Sequence, residues 1–226
     1  MSDSHQERPA SLTETPGAAP HPSGMGRRQC RAVETRVRLF RCALQLFAKR
    51  GFANVTVEAI TEAADVGKGT FFNYFKTKDH VLGVMAEIQL GKVREAVAAA
   101  GHGKQSIRTV LHRMVLRLAE EPGRSPDLAR AMISSFLANE GVRKIIERNL
   151  REGRKLAAEV IAAGQKLGEI DPRLKKERIA LQLMQTLMGT VLIWSLNGEP
   201  ALQAWVEDSF QHFWRAIGAS SQESKP

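Results

Sequence analysis

The sequence predicts an all-α chain with two unequal parts, a small three-helix unit near the N-terminus and a larger helical domain behind it. Three observations carry this expectation. Apolar residues recur at helical spacing from Ala32 almost to the C-terminus, and no stretch competes with the alternating pattern of a half-buried strand. Two short helical patterns between residues 56 and 78 are separated by only three turn residues, Asp65, Val66 and Gly67. Breaks at Gly101-His102-Gly103, Pro122-Gly123 and Asn197-Gly198-Glu199-Pro200 cut the rest into helix-length pieces.

Residues 1–30 are rich in Ser, Pro, Gly, Ala and His and hold few large apolar groups. Burial there cannot offset the entropy of ordering, so a disordered leader is expected. Its end, Arg27-Arg28-Gln29-Cys30-Arg31, is either a basic arm on DNA or a solvated leader. A first helix is expected over residues 32–50, with Val33, Val37, Phe40, Leu44 and Phe47 as its apolar stripe and Gly51 as its C-terminal cap. Thr56 can cap the next helix, which runs from Glu58 to Ala64. The following short helix starts near Lys68. A fourth opens after Lys78, with Asp79 suited to its N-terminal dipole, and runs through Val81, Leu82, Met85 and Ile88 towards Ala100. Helices are then expected over residues 106–119, 127–137, 141–167, 174–196 and 201–217, with Pro200 at the first position of the last. The domain boundaries are therefore a leader over 1–30, a helix-turn-helix unit over 31–80, a helical domain over 81–218 and a frayed tail over 219–226.

Charge sharpens the reading of the N-terminal unit. The chain has a net charge of +9, and eight Lys or Arg against the single acid Glu34 fall between Arg27 and Arg50, just before the helical pair. Such a block beside a helix-turn-helix favours phosphate contact. The second short helix, with Lys68, Thr70, Asn73 and Tyr74, has the size and polarity to enter a major groove. Lys68 and Gly69 sit at its start, where free N–H groups attract phosphate. Thr70 can touch a thymine methyl, and Asn73 can bond adenine bidentately.

Enzyme readings find no footing: there is no GxSxG, HExxH, phosphate loop or dinucleotide fingerprint. The two cysteines, Cys30 and Cys42, make neither a disulfide framework nor a zinc pattern. No metal or other cofactor is expected. No unbroken run of eighteen apolar residues appears, so no membrane span is expected, and residence in the cytoplasm fits.

The order of residues from about Thr35 to Leu82 resembles the TetR family of transcriptional regulators. The resemblance rests on Thr35-Arg36, Phe47 to Phe52, Thr56-Val57, Ile60, Lys68-Gly69-Thr70, Phe75 and Lys78. Beyond it, the chain is similar to that family only in its helical character and length. The resemblance implies that Lys68, Gly69, Thr70, Phe72, Asn73, Tyr74 and Lys78 face DNA, that Thr56 anchors its helix on a phosphate, and that Arg36 belongs to the same face. Phe71 and Phe75 are expected in the core. The chain departs from the family pattern at Asp65 in place of Gly, Gly67 in place of Ser, Phe72 in place of Tyr and Tyr74 in place of His.

The family likeness further implies a homodimer joined through the last two helices, with a double-stranded palindromic operator and a small-molecule effector as partners. Trp194, Leu202, Trp205, Val206, Phe210 and Phe213 are the expected interface, because the apolar residues of the last helix exceed one face. Met85, Met114, Met132, Phe136, Met184 and Met188 are the expected wall of an effector cavity, and the scarcity of polar core positions favours an apolar or aromatic effector. The resulting expectation is a repressor released from its operator by a small molecule. An effector-independent DNA-binding regulator and a helical protein-interaction module are the alternatives.

Overall fold

The computed structural model describes residues 27–219, with backbone alone for 27–30. The expected disorder of residues 1–26 and the end of the frayed tail lie outside the described residues. Within them the chain forms nine α-helices: α1 Arg27–Arg50, α2 Val57–Ala63, α3 Lys68–Tyr74, α4 Lys78–Gly101, α5 Ile107–Ala119, α6 Pro126–Ala138, α7 Glu140–Lys166, α8 Lys176–Asn197 and α9 Leu202–Ile217, with one 3-10 turn at Pro122–Arg124. The element order matches the sequence expectation throughout, while α1 begins earlier, so that Arg27 to Arg31 are helical backbone.

Local chemistry sets most boundaries. Gly51 at φ 75° ends α1, its N–H reaching the Phe47 carbonyl at 2.9 Å. Thr56 caps α2 by accepting from the Ala59 N–H at 3.2 Å. Asp65 takes the left-handed conformation at φ 50° in the turn to α3, which Asp tolerates better than most side chains. Thr77, Ser106, Ser125 and Asn139 cap α4, α5, α6 and α7 through their side chains. Pro200 lies before Ala201, the capping residue of α9, and not at the first helical position. Its carbonyl accepts the indole N–H of buried Trp194 at 2.9 Å.

The N-terminal unit closes on Leu39, Ala43, Leu44 and Phe47 of α1, Ile60 of α2, and Phe71 and Phe75, all buried. The expected stripe on α1 is therefore only half right. Phe47 and Leu44 are in the core and Phe40 is half-buried, but Val33 and Val37 are exposed. The packed face runs through Leu39 and Ala43 instead, in one cluster with Ile60 of α2 and with Leu128 and Ala131 of α6. Ile88 of α4 is likewise exposed.

The core of this unit does not stop at its own helices. Val81, Leu82 and Met85 of α4, Leu128 and Ala131 of α6, and Val142 of α7 pack into the same cluster. A second cluster fills the larger domain, where α4, α5, α7, α8 and α9 contribute Val93, Leu111, Ile161, Leu183 and Phe210 among others. Two α4 side chains close the end of α5. Gln89 Nε2 donates to the Leu118 carbonyl at 2.9 Å, and the buried ammonium of Lys92 donates to the Arg117 carbonyl and to Glu121, each at 2.5 Å. These carbonyls lie in the last turn of a helix, where no intrahelical partner exists.

Lys78 performs the same service at the other end of α4. Its ammonium donates to the carbonyls of Phe52 at 2.8 Å and Val55 at 2.9 Å and rests 4.4 Å from the centre of the Phe52 ring. The expectation that Lys78 clamps a DNA phosphate is thereby corrected, since its donors are spent on the α1–α2 connection. Burial holds the ammonium below the usual lysine range. Lys78→Met is expected to cost about 1–3 kcal/mol of stability, because two carbonyls lose their donor. It should leave the salt dependence of DNA binding unchanged. Urea titration and salt-dependent DNA titration of the variant read the two effects separately.

Candidate DNA-binding face and ligand cavity

α3 is anchored on one side and open on the other. Phe71 is fully buried, with its ring centre 5.4 Å from that of Phe75 and 5.5 Å from that of Phe72. On the outer side Lys68, Gly69 and Asn73 are exposed, and Thr70 and Tyr74 are half-buried. Phe72 is 48% exposed, unusual for a ring that its neighbours could cover, and it stands next to Asn73 on the open side. A Cβ added at Gly69 would meet nothing within 4 Å, so the backbone there can be approached closely. The rigid Phe71–Phe75 anchor fixes the direction in which Asn73 and its neighbours project.

Lys68 is not free in this structure. Its ammonium forms an ion pair with Glu58 of α2, and that bond holds the Glu58 carboxyl below the usual range. Both partners are more than half exposed, so the pair is weak and can exchange for a phosphate. Thr56 is exposed at the start of α2 with its backbone N–H groups nearby, although its hydroxyl already caps the helix.

The basic residues of α1 are at the surface: Arg31, Arg38, Arg41, Lys49 and Arg50 are all exposed. Arg36 is exposed too, but it lines a groove with His80, Glu87 and Ile88 of α4 and Ile145 and Arg148 of α7. No α3 residue lines that groove. Cys42 is half-buried, its thiol donating to the Ala63 carbonyl at 3.4 Å, which fits a boundary residue.

The larger domain holds a cavity with about 1240 Å³ of empty space, its open mouth included. All six residues expected at an effector wall line it: Met85, Met114, Met132, Phe136, Met184 and Met188. Leu82 and Met85 line it while also belonging to the core of the N-terminal unit. Polar wall groups are few, namely Gln89 of α4 and Asn149 and Arg154 of α7, and the sequence reading missed all three. Gln89 lies one helical turn after Met85, a spacing that could have placed it on the cavity face.

The interface expectation needs correction. Trp194, Leu202, Val206, Phe210 and Phe213 are all buried within one copy of the chain, and Trp205 is half-buried. Residues 202, 206, 210, 213 and 217 form one helical stripe that packs on α5 and α8 as protomer core. The exposed apolar surface is on α8 instead. Met188, Leu192, Ile193 and Leu196 face outward, with Ile193 48% and Leu196 65% exposed. α8 is also long and apolar enough to cross a membrane by length and composition alone. Its inner side, through Ile179, Ala180, Leu183 and Trp194, is packed into the domain core.

Residues 39–85 match the family model described as bacterial regulatory proteins, tetR family. The chain is 40% identical over 88 residues to the HTH-type transcriptional regulator TcmR of Streptomyces glaucescens, covering 39% of this chain and 37% of that protein. It is 35% identical over 107 residues to the HTH-type transcriptional repressor KstR of Rhodococcus jostii, covering 46% and 48%. These matches span less than half of either relative. Over more of its length the chain is similar to the solved structure of Thermus thermophilus FadR, a transcriptional repressor in complex with lauroyl-CoA. The TM-score there is 0.57 at 28% identity, covering 79% of this chain and 92% of that one. Residues 39–85 thus carry a DNA-binding domain of the tetR family of bacterial regulatory proteins, and the helical fold behind it resembles that of a solved repressor.

Proposed function

We propose that this protein is a transcriptional repressor that binds a palindromic operator as a homodimer and is released from it by a small, largely apolar molecule. The observation that carries the reading is the double membership of Leu82 and Met85. Each lines the ligand cavity and also packs in the core of the DNA-binding unit. A ligand that prefers one position of these side chains necessarily biases the unit built on them, and such differential affinity is all that coupling requires. The ligand-bound FadR structure supports a small-molecule effector by similarity.

The dimer is supported by the outward face of α8. Met188, Leu192, Ile193 and Leu196 are exposed on one helix, and an apolar surface of that kind favours a partner. A second copy of the same face would bury it isologously and set two α3 helices for two half-sites. Sedimentation at micromolar concentration is expected to give a dimer. Ile193→Glu should convert it to a folded monomer with weak operator binding, because one unit alone holds one half-site. Phe210→Glu should unfold the protomer instead, since that ring is 2% exposed inside its core. A wild-type monomer would remove the palindrome from the proposal.

The DNA face is tested on duplexes selected from a random pool. Asn73→Ala is expected to cost about 1–3 kcal/mol on the selected site and to relax preference at one position of each half-site. Lys68→Ala should weaken binding to selected and random duplexes alike and lower the salt slope by about one per unit. Equal losses for Asn73→Ala on both kinds of duplex would show that it reads no base.

A further inference from the structure

Among the polar residues of the cavity wall, Gln89 has a side-chain atom that is buried without a partner. Gln89 Oε1 is sealed from solvent and accepts no hydrogen bond. The orientation of this amide is fixed by its other end. Gln89 Nε2 donates to the Leu118 carbonyl at 2.9 Å, so a flipped amide would press two acceptors together at that distance. The orphan is therefore an oxygen, and only a donor can satisfy it. An unpaired buried acceptor costs free energy until a donor arrives.

The rest of the wall restricts what can bring that donor. Asn149 is buried, and one of its two amide N–H groups donates to the Ile145 carbonyl at 3.0 Å, which turns that nitrogen towards its own helix. A buried water usually makes about three hydrogen bonds, and a wall of Leu, Met, Val and Ala side chains provides few partners for one. Arg154 is the one charged residue of the wall and forms no ion pair among the described residues, and no carboxylate lines the cavity. A cation would meet Arg154 and no counter-charge.

We propose that the effector is a hydroxylated apolar molecule, neutral or acidic but not cationic, whose hydroxyl donates to Gln89 Oε1. This rests on the reading of the cavity as the effector site and adds the chemistry that the site selects. Gln89 would then be a specificity-determining residue, rejecting analogues of the same size that lack the donor.

The test uses three probes of one skeleton: 4-heptylphenol, its methyl ether 4-heptylanisole, and 4-heptylbenzylamine, which is protonated at neutral pH. Each is titrated calorimetrically into the full-length protein without DNA. The wild-type protein is expected to bind the phenol about three- to tenfold more tightly than the ether. Gln89→Met should erase that preference while keeping the affinity for the ether. The amine should bind more weakly than both. Equal binding of phenol and ether by the wild type overturns the proposal, as does a preference that survives in Gln89→Met, binding of the amine as tight as that of the phenol, or binding of none of the three. If Gln89→Met does not fold, the wild-type comparison still decides. Because binding is read without DNA, a failure here leaves the repressor reading to operator titration, and failure of operator binding leaves this result standing.

Discussion

The structure depends on α4 being buried at both of its ends in two different cores. At its start, Val81, Leu82 and Met85 complete the core of the DNA-binding unit, and Lys78 holds the α1–α2 connection by its carbonyls. Further along, Val93 and Ala96 belong to the core of the larger domain, and Gln89 and Lys92 tie down the end of α5. Residues 78 to 96 thus carry the mechanical link between the two parts. Packed cores resist gradual deformation and respond to altered packing by shifting whole elements. α6 and α7 reinforce the link through Leu128, Ala131 and Val142, so the DNA-binding unit is docked on the larger domain by shared apolar packing and not merely tethered by chain.

What was legible in the sequence follows the range of the forces involved. The turn at Asp65, the Thr56 cap, the Gly51 stop and the buried pair Phe71 and Phe75 are decided within a few residues, and local pattern was enough for each. The helical order of the larger domain was legible for the same reason. The cavity wall was found through methionine, whose adaptable side chain favours irregular apolar space, and all six chosen positions do line it. Its polar member Gln89 was not found, because a glutamine on an otherwise apolar helix face looks like a surface residue until the Leu118 carbonyl is placed beside it.

The misreadings share a physical cause. Periodicity says that a helix has an apolar face but not what covers it. The stripe from Leu202 to Ile217 has the spacing of an interface and also that of a core, and α5 and α8 decide for core. Val33 and Val37 continue the apolar spacing of α1 but stay exposed, while Leu39 and Ala43 take the packed positions. Lys78 looks like a phosphate ligand from its place beside α3, yet two backbone carbonyls in the α1–α2 connection take its donors, and a buried carbonyl without one is the costlier outcome.

On the proposed reading, three neighbouring contacts order a path from ligand to DNA. Leu82 meets the ligand and lies one helical turn, about 6 Å, from Lys78. Lys78 bonds the carbonyl of Val55, the residue before the Thr56 cap of α2. α2 in turn carries Glu58, which pairs with Lys68 at the start of α3. Each step is a contact between neighbouring elements and none needs a flexible linker. Axial displacement of α4 would be delivered to the point where the two short helices are capped, and there a small rotation changes the direction of Asn73 while the Phe71–Phe75 anchor stays packed. A palindromic site would amplify it, because both half-sites must fit the same pair of rigid heads at once.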